Sequence, residues 1–104
     1  MARENNRLLL LIEKTLRDTN RDTINPMFDD LKIDDLAPVL GLVARARAEY
    51  LKQLFDIAQQ HPDALPNTED IDKLKATRIR YEELVTASQA LETAIERNYL
   101  DVNS

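Results

Sequence analysis

The residues best suited to chemistry in this chain are few and widely spaced. The only histidine, His61, stands in the stretch QQHPDALPN, residues 59–67. An imidazole titrates near neutral pH and serves as general base or metal ligand, but it needs a partner group to do either. The chain offers no cysteine and no second histidine, so a thiolate zinc site and a cysteine–histidine pair are excluded. Carboxylates crowd into DDLKIDD, as Asp29, Asp30, Asp34 and Asp35. A calcium loop of the EF-hand type requires alternating oxygen ligands, a glycine bend and a closing glutamate. That spacing is missing. Glu82, Glu83, Glu92 and Glu96 do not form the Glu-x-x-His pattern of helical metal sites. The single glycine, Gly41, rules out a glycine-rich phosphate cradle. The expectation is a protein that is not an enzyme, with no catalytic, cofactor or metal site.

The tripeptide His61-Pro62-Asp63 lies between two long helical patterns. Over residues 50–84 this arrangement resembles the J-domain co-chaperones, which carry His-Pro-Asp in the turn of an antiparallel helical hairpin. Tyr81 and Leu84 follow at roughly the J-domain spacing. The resemblance implies that His61, Pro62 and Asp63 engage an Hsp70-type ATPase. The sequence departs from the family in the approach to the motif, FDIAQQ, where J-domains place basic residues, and in the greater length of its helices. The same letters also make a helix-stopping turn. In that reading His61 sits by the last helical carbonyls as a solvent-facing turn residue, Pro62 terminates the helix and Asp63 belongs to the turn.

Charge narrows the partners. Fourteen lysines and arginines oppose nineteen aspartates and glutamates, for a net charge of −5. That balance argues against general nucleic-acid binding. The one basic stretch, DKLKATRIR, carries Lys73, Lys75, Arg78 and Arg80, diluted by Asp70 and Asp72. Weak nucleic-acid binding through these four side chains ranks as a second alternative. The apolar run Leu8 to Ile12 is five residues long, too short for a membrane span. A cytoplasmic location is expected, with no membrane partner.

These side chains must be positioned by helices. One glycine in 104 residues and an apolar set rich in leucine and alanine favour helix throughout. Placing residues 100° apart separates three amphipathic patterns. The first spans about residues 4–19, with Leu8, Leu9, Leu11, Ile12, Thr15 and Leu16 on one stripe. Asn25-Pro26 opens a connector in which Met27, Phe28 and Leu31 are expected to plug the core end. The second helix spans about 35–60, with Asp34 or Asp35 as its cap. Its apolar face is wide enough to require neighbours on two sides. The third spans about 67–98, capped by Asn67 or Thr68, with a heptad seam from Leu74 to Ile95.

Folding the second and third helices back about Pro62–Pro66 pairs Tyr50 with Thr77, Leu54 with Leu74 and Glu49 with Arg78. It sets Arg45 and Arg47 near Glu82 and Glu83, and Gly41 at a close approach to Thr86 and Ala87. The first helix is expected to cover the remaining apolar side of the second, bringing Arg17 and Arg21 towards the acidic cluster. The fold class is therefore all-α: a single helical domain, residues 1–104, built as an antiparallel coiled-coil hairpin with a third helix alongside. Leu10, Leu42 and Ile79 fall on the polar sides of their helices. They are the expected partner-binding residues of a non-catalytic protein–protein interaction module, an adaptor, regulator or dedicated chaperone. A homodimer or higher oligomer is the expected state.

Overall fold

The computed structural model describes residues 2–104. It is 81% helical, with three helices and no strand among the described residues. Helix α1 is Ala2–Ile24, α2 is Ala37–Gln60 and α3 is Thr68–Glu96. Two short 3-10 turns, Asn25–Met27 and Ile33–Leu36, occupy the connector between α1 and α2. The fold class read from the sequence is the one observed. Contacts divide the chain into two compact units. One comprises the described residues up to Asp35 together with Leu91–Ser104; the other is Leu36–Ala90.

The hairpin unit is built on a heptad seam. α2 turns Leu36, Val39, Val43, Ala46, Tyr50, Gln53 and Ile57 away from solvent, in alternating steps of three and four. α3 answers with Leu74, Thr77, Tyr81, Leu84 and Ser88 at the same spacing. Steps of three and four keep one stripe facing a partner helix along its whole length. α2 and α3 pack against each other along this seam. The polar seam residues are satisfied by their own helix. The Thr77 hydroxyl donates to the Leu74 carbonyl at 2.7 Å, and the Ser88 hydroxyl to the Val85 carbonyl at 2.8 Å. Neither pays the penalty of a buried group without a partner.

The helix ends follow local chemistry, though not always the residues expected. Asn67 caps α3 as read from the sequence: its Oδ1 accepts from the Asp70 amide at 2.9 Å. α2 differs. Its cap position is Leu36, with no side-chain cap bond, and Pro38 sits in the first turn. Asp35 is instead engaged one turn earlier, where its carboxylate accepts from the Lys32 amide at 2.9 Å. The 3-10 turn at Ile33–Leu36 delays the helix and takes the carboxylate away from the amides it was expected to cap. α3 closes in a Schellman motif. The Tyr99 amide reaches the Ala94 carbonyl at 2.8 Å and the Asn98 amide reaches Ile95 at 3.1 Å. Asn98 adopts φ 63, a left-handed conformation that asparagine tolerates.

Some pairs across the hairpin differ from those expected. Tyr50 meets Tyr81, with ring centroids 5.9 Å apart, and also lies beside Leu74 and Arg78, which stand on either side of Thr77. Glu49 pairs with Arg80 at 3.1 Å, not with Arg78. Arg47 donates to the Tyr81 hydroxyl at 3.2 Å and lies over its ring, rather than reaching Glu82 or Glu83. Leu54 is half exposed and leaves the seam to Ile57. At the turn the His61 amide donates back to the Ile57 carbonyl while its ring reaches forward to Asp70. Gly41 is no close-approach site either: a Cβ built there meets only the tip of Arg45, at 3.3 Å.

In the other unit, the chain after α3 ties down the connector after α1. Leu100 is the most buried residue, 3% exposed; of the three residues expected to plug the core end, Met27 and Phe28 are exposed and Leu31 is partly buried. Arg21 forms a two-pronged pair with Asp101, at 2.6 and 3.1 Å, and also donates to the Asn98 carbonyl at 2.9 Å. It does not join the Asp29–Asp35 cluster as expected. The Asp101 amide donates to Asn25 Oδ1, and Asn103 exchanges backbone hydrogen bonds with Leu31 and Ile33. Residues 98–103 thus supply the partners that the acidic cluster was expected to supply.

Candidate interaction surface

Burial is sparse. The buried residues are Ala46, Ile57, Thr77, Ala94 and Leu100. Nearly every other large apolar side chain is at least partly open to solvent, and the surface this creates is the most distinctive property of the molecule.

Helix α1 is the clearest case. No residue of α1 is buried. Leu8, Leu9, Leu11, Ile12 and Leu16, the stripe expected to cover α2, are 47–59% exposed. An apolar groove of about 330 Å³ opens along this stripe between Leu11, Ile12, Leu16 and Thr19. Isolated helices of this kind are marginal in water, and most helical stability in proteins comes from packing an apolar face. The stripe is therefore an open apolar surface on α1.

Helix α2 shows a second such surface. Ala37, Leu40, Ala44, Leu51, Phe55 and Ala58 recur at helical spacing, away from the seam with α3, and all six are exposed. Leu40 is 65% and Phe55 64% exposed. The wide apolar face of α2 calls for two neighbours, and α3 is one of them.

The three expected partner-binding residues are exposed: Leu10 by 67%, Leu42 by 46% and Ile79 by 53%. Leu42 and Ile79 are not brought together. The Glu49–Arg80 pair sets Ile79 at the level of Glu49, about two helical turns, or ~10 Å, from Leu42. Leu10 belongs to the other unit.

His61 is less free than a solvent-facing turn residue. Its Nε2 lies 2.7 Å from Asp70 Oδ2, with the two side chains only 24% and 14% exposed. Pro62 and Asp63 are exposed beside it. A carboxylate that orients an imidazole is two-thirds of a catalytic triad, but no hydroxyl or thiol completes a hydrogen bond to this one. The basic stretch is largely compensated. Arg80 pairs with Glu49, Lys73 approaches Glu69 at 3.8 Å, and Arg78 approaches Glu82 at 3.9 Å. Phosphate binding requires several uncompensated cations, and these three are already answered. Among the described residues no cluster of metal-ligating side chains forms, and no helix is long and apolar enough to cross a membrane.

A cleft of about 450 Å³ lies between Glu13, Leu16 and Arg17 of α1 and Glu96–Tyr99. It is open and mixed in charge. The nearby Asp101 carboxyl is held below the usual aspartate range by its hydrogen bond from Arg21, with desolvation opposing. That pair anchors structure and has no reacting group beside it. Comparison of the chain with protein-family models, curated proteins and solved structures finds no match.

Proposed function

We propose that this chain is a non-catalytic protein–protein interaction module, an adaptor, regulator or dedicated chaperone that works by presenting helix faces. The observation that carries this reading is the uncovered apolar stripe of α1, whose 23 residues include none that is buried. Contiguous exposed apolar surface marks interaction sites far more often than it marks idle surface. Helix-in-groove recognition uses anchors at this spacing. A homodimer or higher oligomer working in the cytoplasm is part of the proposal. Leu10, Leu42 and Ile79 remain proposed contact positions beside the two stripes.

Photo-cross-linking tests the reading. A photoreactive residue placed in turn at Leu9, Leu10, Leu42 and Ile79 is expected to capture a protein, either another copy or a different chain. Failure at all four positions in native extract and in the purified protein would remove the module from this class.

A second reading is favoured by the exposure of Pro62 and Asp63 in the hairpin turn: an Hsp70 co-chaperone acting through His61, Pro62 and Asp63. Its test is steady-state ATP hydrolysis by an Hsp70. Stimulation that disappears in His61→Gln supports it, and no stimulation by the wild-type chain excludes it.

A further inference from the structure

We infer that the edge of the hairpin around Tyr50 docks an acidic segment of a partner protein. That segment seats one bulky apolar side chain in the groove there and sets carboxylates against Lys75 and Arg78. This deepens the interaction-module reading and rests on it. The site lies wholly within the hairpin unit, Leu36–Ala90.

The groove has a volume of about 210 Å³ and is lined by Tyr50 of α2 and by Ile71, Leu74, Lys75 and Arg78 of α3. Tyr50 and Leu74 are half-buried seam residues, so the packing of the two helices holds the floor in place. Ile71 adds an apolar wall that is open to solvent. Pockets for small molecules run from about 300 to 1,000 Å³. This groove is below that range and suits a single large side chain, the kind of anchor by which helices dock in grooves.

Charge selects the partner. Glu49 and Arg80 pair across one edge of the hairpin. Residues two positions apart on a helix point about 160° away from each other. Arg47 and Arg78 therefore belong to the opposite edge, where the groove lies. Arg78 lines the groove, and Arg47 lies over the ring of Tyr81, which stacks with Tyr50. The α3 cations on the Glu49 edge, Lys73 and Arg80, are matched by Glu69 and Glu49. Those on the groove edge are not. Lys75 and Arg47 have no ion-pair partner among the described residues. Arg78 has only Glu82, at 3.9 Å, longer than a direct charge-assisted hydrogen bond.

Three cations on this edge are thus answered by one carboxylate, in a chain of net charge −5. A positive patch on an acidic molecule steers an anionic partner to that place and rejects basic ones. Three cations are few for a nucleic acid, whose affinity grows with each phosphate neutralised. A phosphate backbone also offers nothing apolar to the groove. An acidic peptide with an apolar anchor satisfies both halves of the site.

Fluorescence anisotropy with the full-length protein tests this. The probe is a helical peptide with one leucine flanked by glutamates one turn away on either side. Its controls carry lysines for the glutamates, or alanine for the leucine. The glutamate peptide is expected to bind, more weakly as salt rises, and each control to bind at least about tenfold less tightly. Lys75→Glu with Arg78→Glu should weaken the glutamate peptide by about tenfold or more. Lys73→Gln, on the other edge, should leave it unchanged. No binding of the glutamate peptide, equal binding of the lysine peptide, or indifference to Lys75→Glu with Arg78→Glu overturns the inference. A single-stranded oligonucleotide that binds this edge more tightly than the peptide also overturns it. So does self-association abolished by the same double variant with no peptide bound, which gives the edge to a second copy. If the inference falls while a photoreactive residue at Leu9, Leu10, Leu42 or Ile79 still captures a protein, the interaction-module reading stands without it.

Should the double variant lose its helical circular dichroism, methyl signals of the wild-type chain decide. The glutamate peptide is expected to shift Ile71 and Leu74. It should leave Leu42 in place, which stands two turns before Glu49 on the same side of α2. Equal shifts at all three, or none, overturn the inference.

Discussion

At the residue scale, two side-chain pairs hold the ends of the structure, and each makes a prediction. His61 and Asp70 close the hairpin turn from two part-buried positions. A hydrogen bond involving a charged group contributes about 1.5–3 kcal/mol at best and an ordinary one about 1. His61→Ala is therefore expected to lower unfolding stability by about 1 kcal/mol, read from the urea midpoint at constant slope. No change would return His61 to the status of a free turn residue. Arg21 and Asp101 lie at the surface and set a pH dependence. The Asp101 carboxyl is depressed in the folded chain by its hydrogen bond from Arg21. A depressed carboxyl contributes stability that is present above the ordinary aspartate value of 3.8 and is lost as pH falls from there through the folded value. Acidification should thus loosen residues 98–103 before it loosens the hairpin. Faster amide exchange at Asp101 and Asn103 in acid, beyond its intrinsic trend and absent in Asp101→Asn, is the expected result.

At the element scale, the hairpin seam is strict and the rest of α2 is not. Seven positions from Leu36 to Ile57 face α3, and the remaining apolar residues look outward. A heptad seam is a narrow stripe, so the wide apolar face of α2 is only partly used by α3. Gly41 lies in this helix with helical backbone geometry and only the flexible tip of Arg45 near its missing Cβ. Alanine is favoured over glycine in a helix interior by about 1 kcal/mol. Gly41→Ala should therefore stabilise the chain by about 0.5–1 kcal/mol, measured by denaturant unfolding. Destabilisation would mean that α2 needs the bare backbone at Gly41 for a neighbour, which would itself point to a helix packed there in the assembled protein.

At the scale of the whole molecule, stability is expected to depend on assembly. Five buried residues among the described ones make a thin core, and single cores of small domains supply only a few kcal/mol. If a second copy covers the stripes, folding and association are linked by mass action. The melting temperature should then rise by about 3–5 °C for each tenfold increase in protein concentration. A concentration-independent transition would separate folding from association.

Much of this protein was legible in its sequence. The spacing of apolar residues, the near absence of glycine, Asn67 before α3 and the His61-Pro62 break place three helices and a hairpin, because these signals act over one or two helical turns. What local signals cannot encode is which of two equivalent apolar stripes meets which. The leucines of α1 and the outer face of α2 read as core from the pattern alone, since a stripe looks the same whether its cover comes from the same chain or another. The pairs that cross the hairpin join side chains far apart in sequence, Tyr50 with Tyr81 and Glu49 with Arg80. The partners of Arg21 came from residues 98 and 101, at the opposite end of the chain. Periodicity thus fixed the helices and their faces; only tertiary contacts between distant residues determined the alignment of the hairpin and which faces were left open.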